Sequence, residues 1–125
     1  MIHAAHFVLY STDPAADRAF LKDVLDFPFV DDGDGWLIFK LPPAEMGVHP
    51  FAGDRVPDAP AGAMQTATFY LLTDDLESDC AQLLAKGIEL SDPSDADWGR
   101  SVLITMSSGG KIGLYQPTHE TALGI

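Results

Sequence analysis

Basic residues are scarce in this sequence. Seven Lys and Arg stand against 19 Asp and Glu, a formal net charge of -12 over 125 residues. Phosphate binding needs a basic surface, so nucleic acid is disfavoured as a partner, and anionic membrane surfaces with it. The same imbalance keeps the chain soluble and draws in cationic small molecules. Cysteine is scarcer still. Cys80 stands alone, so no disulfide forms within the chain, and a reducing, cytoplasmic setting is expected. No basic neighbour in sequence lowers the Cys80 thiol, which reads as a small core residue rather than a nucleophile. No apolar run reaches the roughly 18 residues of a membrane span, and the N-terminus lacks the basic start and apolar run of a signal peptide. A phosphate cradle is missing too, because Ser108-Gly109-Gly110 reads as a hairpin turn, and no Ser-His-Asp order is readable.

What is present suits one compact domain, with an apolar fraction of 46%. Residues 2–11 are apolar and β-branched, which predicts a strand with His6, Val8 and Tyr10 on one face. Thr12-Asp13-Pro14 caps a helix running to about Asp26, carried by Phe20, Leu21, Val24 and Leu25. Short strands are expected at 27–30, 36–41 and 46–49, the first two separated by the turn Asp31-Asp32-Gly33-Asp34-Gly35. A Pro- and Gly-rich linker follows, and then the pattern restarts. Residues 65–72 read as a strand, and Thr73-Asp74-Asp75 caps a second helix that ends at Lys86-Gly87. Strands are expected at 88–90, 101–106 and 111–116, with 91–97 as a loop.

Both halves therefore read strand–helix–strand–strand–strand. Leu9-Tyr10-Ser11-Thr12-Asp13 matches Leu71-Leu72-Thr73-Asp74-Asp75, and Met46-Gly47-Val48-His49-Pro50 matches Ile112-Gly113-Leu114-Tyr115-Gln116-Pro117. One such unit cannot close a core alone, but two can. The expected fold is α+β: tandem βαβββ modules forming curved mixed sheets around a cavity. Module one spans 1–50, a linker 51–63, module two 64–117 and a tail 118–125.

At these residues the chain resembles the vicinal oxygen chelate superfamily, the glyoxalase, bleomycin-resistance and dioxygenase type. Phe20-Leu21-Lys22-Asp23-Val24-Leu25-Asp26-Phe27 and Asp74-Asp75-Leu76-Glu77 add to the likeness. The resemblance implies a metal site with four ligand positions, which match His6, Gly47, Thr68 and Gly113. A divalent ion needs three or more nitrogen or oxygen ligands, and glycine offers no side chain. The expected protein is thus a metal-free small-molecule binder with no cofactor. The resemblance also implies a homodimer.

His6, Tyr10, Trp36, His49, Thr68, Tyr70, Arg100 and Tyr115 are the candidate ligand-binding residues. The tyrosines offer an apolar body with a polar tip, the tryptophans (Trp98 included) a stacking face, and Arg100 a partner for a carboxylate. Each has a plainer reading: a hydrogen-bonded core histidine for His6, sheet packing for a tyrosine, a surface ion pair for Arg100. The alternative function is a metal-dependent lyase or dioxygenase whose atypical site uses His6 and His49. A third reading is an interaction domain whose pocket is filled by its own side chains. His3 and His119 lie near the termini and carry no argument.

Overall fold

The computed structural model describes residues 6–48 and 67–124. The expected linker and His49 lie outside the described residues. Among the described residues are two α-helices, α1 (Pro14–Asp23) and α2 (Leu76–Ala85). Their starts follow one local rule. Asp13 Oδ1 accepts from Ala16 N at 3.2 Å, and Asp75 Oδ1 accepts from Ser78 N at 3.1 Å, so each helix has an aspartate cap for its free N–H groups. Pro14 adds a pre-set φ at a position that has no helical N–H to lose. Gly87, at φ 78°, ends α2 in the left-handed conformation, and Asp26, at φ 56°, takes the same conformation after α1.

The repeat extends one turn into each helix. Ser11 Oγ accepts from Asp13 N and donates to Asp17 Oδ2 at 2.7 Å. Thr73 Oγ1 accepts from Asp75 N and donates to Asp79 Oδ2 in the same way. The halves then diverge. Asp17 is buried, and its second oxygen accepts from Ser108 N at 3.0 Å. Burial alone would raise the Asp17 carboxyl, but the hydrogen bonds from Ser11 and Ser108 outweigh it and hold the group below its ordinary value.

The first half holds a two-stranded antiparallel ribbon, β1 (Phe29–Asp31) with β2 (Leu37–Phe39). Its turn is closed by Asp31 Oδ1 accepting from Gly33 N at 2.8 Å and by Asp32 N donating to Trp36 O at 2.9 Å. The second half forms a four-stranded sheet in the order β3 (Tyr70–Leu72), β6 (Lys111–Pro117), β5 (Gly99–Thr105), β4 (Ser94–Ala96). β3 runs parallel to β6, and the other pairs are antiparallel.

The core sits on this sheet. Val102, Ile104, Met106, Ile112 and Leu114 bury against Leu76 and Leu83 of α2, with Ile104 fully enclosed. α1 contributes Phe20 to the same cluster, so the helix of the first half packs on the second. Lys86 Nζ donates to Val24 O at 2.9 Å and ties the end of α1 to the end of α2. Between these ends lies a cavity of about 320 Å³, floored by Ile104 and Leu114 and flanked by Leu25 and Asp79.

Four expectations need correction. Residues 6–11 carry no strand pairing, and neither do 46–48. Their apolar side chains stand in the open, with Tyr10 94% and Val48 93% exposed. Strand propensity reflects packing against neighbours, and these segments find none among the described residues. The expected strand at 88–90 shrinks to one bridge, Leu90 to Ile104. The expected loop beyond it instead contains β4. Pro93 explains the break, since it has no N–H to donate to the ladder. The edge resumes at Ser94 because a two-residue turn at Asp97-Trp98 returns the chain onto β5, pairing Ala96 with Gly99.

Candidate functional site

Side chains on a strand alternate, so Gly113 and Tyr115 face the same way on β6. The register of β3 and β6 sets Tyr70 beside Gly113 and Leu72 beside Tyr115. Tyr70 therefore meets a position with no side chain, and its ring lies across it. A Cβ built on Gly113 would collide with the Cδ1–Cε1 edge of the Tyr70 ring. An aromatic laid over a strand glycine recovers packing that the glycine forfeits.

The Tyr70 ring then meets the edge of Tyr115, with centroids 5.5 Å apart and planes at 90°. Trp98, at the tip of the β4–β5 hairpin, completes the group at 6.1 Å from Tyr70 and 5.0 Å from Tyr115. Edge-to-face rings at these separations attract through their quadrupoles, beyond the area they bury. Tyr70 and Trp98 remain 41% and 42% exposed, so the cluster presents an open aromatic face. Its polar tips are defined. Tyr115 Oη lies 3.1 Å from His119 Nε2. Burial pushes the Tyr115 phenol up, and the nearby Glu45 carboxylate and Tyr70 add to the shift.

The structure thus brings together Tyr70, Tyr115 and Trp98, together with Glu45 and His119, which sequence reasoning passed over. The signal for His119 was its spacing from Tyr115, four residues on across a proline. The other candidates are placed elsewhere. Tyr10 does not join the tyrosine cluster, contrary to expectation, because the segment that carries it is unpaired. His6 and Thr68 are exposed. Trp36 lies under the Arg18 guanidinium, 4.7 Å from its ring centroid, which fixes it against α1. Arg100 reaches both oxygens of Asp95, at 3.2 and 3.3 Å, the surface ion pair of its plainer reading. Cys80 is half-buried and packs against the core, and burial and the Asp79 carboxylate raise its thiol.

The four-ligand metal site that the resemblance implies does not fit these residues. Of its four positions, 113 has its side-chain direction filled by the Tyr70 ring, 47 is glycine, and 68 is a threonine facing solvent. Among the described residues, no three His, Cys, Asp or Glu side chains gather closely enough to hold a metal ion.

No curated protein sequence matches the chain. Among solved structures it is similar to TnmS3, an antibiotic binding protein from Streptomyces sp. CB03234. The identity is 27% and the TM-score 0.65, covering 94% of this chain and 98% of that one. It also shares its fold with lactoylglutathione lyase from Agrobacterium tumefaciens, at 21% identity and TM-score 0.61 over 91% of this chain and 92% of that one. A third relative in fold is the fosfomycin resistance protein FosX from Listeria monocytogenes, at 14% identity and TM-score 0.55 over 94% and 95%. The family model described as glyoxalase/bleomycin resistance protein/dioxygenase superfamily matches residues 3–109, which stops short of Gly113 and Tyr115. With the mixed sheet, that match over most of the sequence means that the chain belongs to this superfamily.

Proposed function

We propose that this protein is a metal-free, non-catalytic binder of small molecules, and that its ligand is a planar aromatic cation held against Tyr70, Trp98 and Tyr115. One observation carries the reading: the Tyr70 ring lies where a ligand side chain at position 113 would stand. The change that removes a metal donor also builds the stacking face. Charge supports the class of ligand. The chain carries a net charge of -12, Glu45 acts electrostatically on Tyr115, and ring faces attract cations by about 0.5–2 kcal/mol. The likeness to an antibiotic binding protein at 27% identity supports a binding role over a catalytic one.

The working unit is a homodimer in the reducing cytoplasm. Phe7, Val8, Leu9, Phe29, Val30 and Met46 of the first half are exposed apolar side chains, which a second copy would cover.

Thermal shift tests the reading. Planar aromatic cations such as ethidium raise the melting temperature, and Ni²⁺, Mn²⁺ and Fe²⁺ do not. Substitution of Trp98 or Tyr115 by Ala removes the dye-induced shift. Strong stabilisation by any of the three metals overturns the proposal. Light scattering on the eluting protein reads the mass of a dimer, and a monomer at micromolar concentration would overturn that part.

A further inference from the structure

The residues after β6 return to the aromatic face and take up its polar groups. Thr118 N donates to Trp98 O at 3.0 Å, and Thr118 Oγ1 donates to Asp97 O at 2.7 Å, so the chain turns at the hairpin that carries Trp98. His119 follows. Its Nδ1 lies 2.8 Å from Glu120 O and so must carry a hydrogen, which leaves Nε2 of the neutral ring to accept from Tyr115 Oη. The His119 ring lies tilted against Tyr115 with centroids 6.0 Å apart. Ala122 N then donates to Glu45 Oε2 at 2.6 Å. Ala122–Gly124 is a single 3₁₀ turn.

Both polar groups that would orient a cation at this face, the Tyr115 hydroxyl and the Glu45 carboxylate, therefore already have partners in the tail. The tail buries almost nothing in exchange. His119, Glu120, Ala122 and Leu123 are exposed, and a gap of about 240 Å³ separates Thr121 and Leu123 from Leu72, Thr73 and Asp74. A segment held by a few hydrogen bonds over an unfilled gap opens at little cost.

We infer that the tail from Thr118 to Gly124 is a displaceable internal competitor: it occupies Glu45 and Tyr115 in the free protein, and an aromatic cation must release it to bind. The inference rests on the proposed ligand-binding role of the aromatic face. The competition runs through one carboxylate. An anion accepts a charge-assisted bond from a bound cation more strongly than a neutral amide bond, so the ligand wins Glu45 from Ala122. The tail lowers the apparent affinity by the fraction of molecules in which it is released.

The test combines dye binding with amide exchange in the whole protein. Ethidium affinity is measured by fluorescence for the full chain, for a chain ending at Pro117, and for Ala122→Pro. The last keeps the tail but deletes the N–H that Glu45 accepts, at the first residue of a 3₁₀ turn, where proline's φ fits. Both changes should tighten ethidium binding several-fold. The Ala122 amide should exchange more slowly than a free-chain amide in the apo protein and lose that protection when ethidium is bound. Affinity that is unchanged or weaker in both variants overturns the inference. So does an Ala122 amide that exchanges at the free-chain rate without ethidium, whatever the dye does. If the amide is protected but no form binds ethidium, the binding role itself has failed and the competitor falls with it. That outcome is distinct from an absent latch.

Discussion

The two halves start alike and finish differently. Each opens its helix with a Ser or Thr, an aspartate cap and an aspartate one turn on, and the same three bonds join them to one another and to the helix start. Yet the second half encloses Ile104 completely, whereas the first, among the described residues, buries Phe20 in the core with Leu21, Val24 and Leu25 only partly buried against it, and leaves Val30 65% exposed. Local capping is a short-range matter and repeats wherever the residues repeat. Core closure depends on long-range pairing, and only the β3–β6–β5 ladder achieves it among the described residues. Likeness in sequence thus guarantees like starts, not like burial.

The sharpest way to break this contrast is at the core. Ile104→Ala should cost about 2–5 kcal/mol, and Val30→Ala under about 0.5 kcal/mol, in urea unfolding of the monomer. A Val30→Ala cost that grows with protein concentration would mean that the open face closes on a second copy. The two equivalent glycines should separate next. Gly113→Ala drives a methyl into the Tyr70 ring, a cost of about 1–3 kcal/mol, and Tyr70→Ala in the same chain should recover part of it. Gly47→Ala meets nothing within 4 Å and should change stability by under about 0.5 kcal/mol.

The two aspartates one turn into the helices come third. Asp17→Ala strands the Ser108 N–H and should cost about 1–3 kcal/mol, while Asp79→Ala, which loses one bond from Thr73, should cost about 1 kcal/mol. The Asp17 effect also has a pH signature. Its folded value lies below 3.8, so its contribution is fully present above pH 3.8 and is lost as pH falls through the lower folded value. Stability of the parent and of Asp17→Ala should therefore converge in acid. Smallest of all, Arg100→Ala breaks only an exposed pair and should move stability by about 0–1 kcal/mol.

The parts of the fold legible in the sequence were those with local causes. Asp13-Pro14 and Asp75 announce their helices, Gly87 its helix end, and the Asp-Gly run between β1 and β2 its turn. β4 was illegible because Ser94-Asp95-Ala96 has little strand propensity, and the tight turn beside it supplies the pairing. Residues 6–11 misled for the opposite reason: the composition is that of a strand, but a strand exists only where a partner is in register. At the site, position 113 was readable as a glycine where the resemblance implies a ligand. That Tyr70 fills the space is a fact of register between residues far apart in the chain. The reach of the tail to Glu45 is likewise a contact between residues far apart in the chain, whereas Tyr10 stands open for want of a partner among the described residues.

The bond between Asp17 and Ser108 carries a last consequence. It joins residues 91 apart in the chain. On the ribosome, Asp17 emerges 91 residues ahead of the Ser108 N–H that satisfies its buried carboxylate. Until then Asp17 has Ser11 alone, and Phe20 has no sheet to sit on. The first helix cannot lock into place before the β5–β6 hairpin has been made, so the nascent chain carries an apolar, unanchored helix until then.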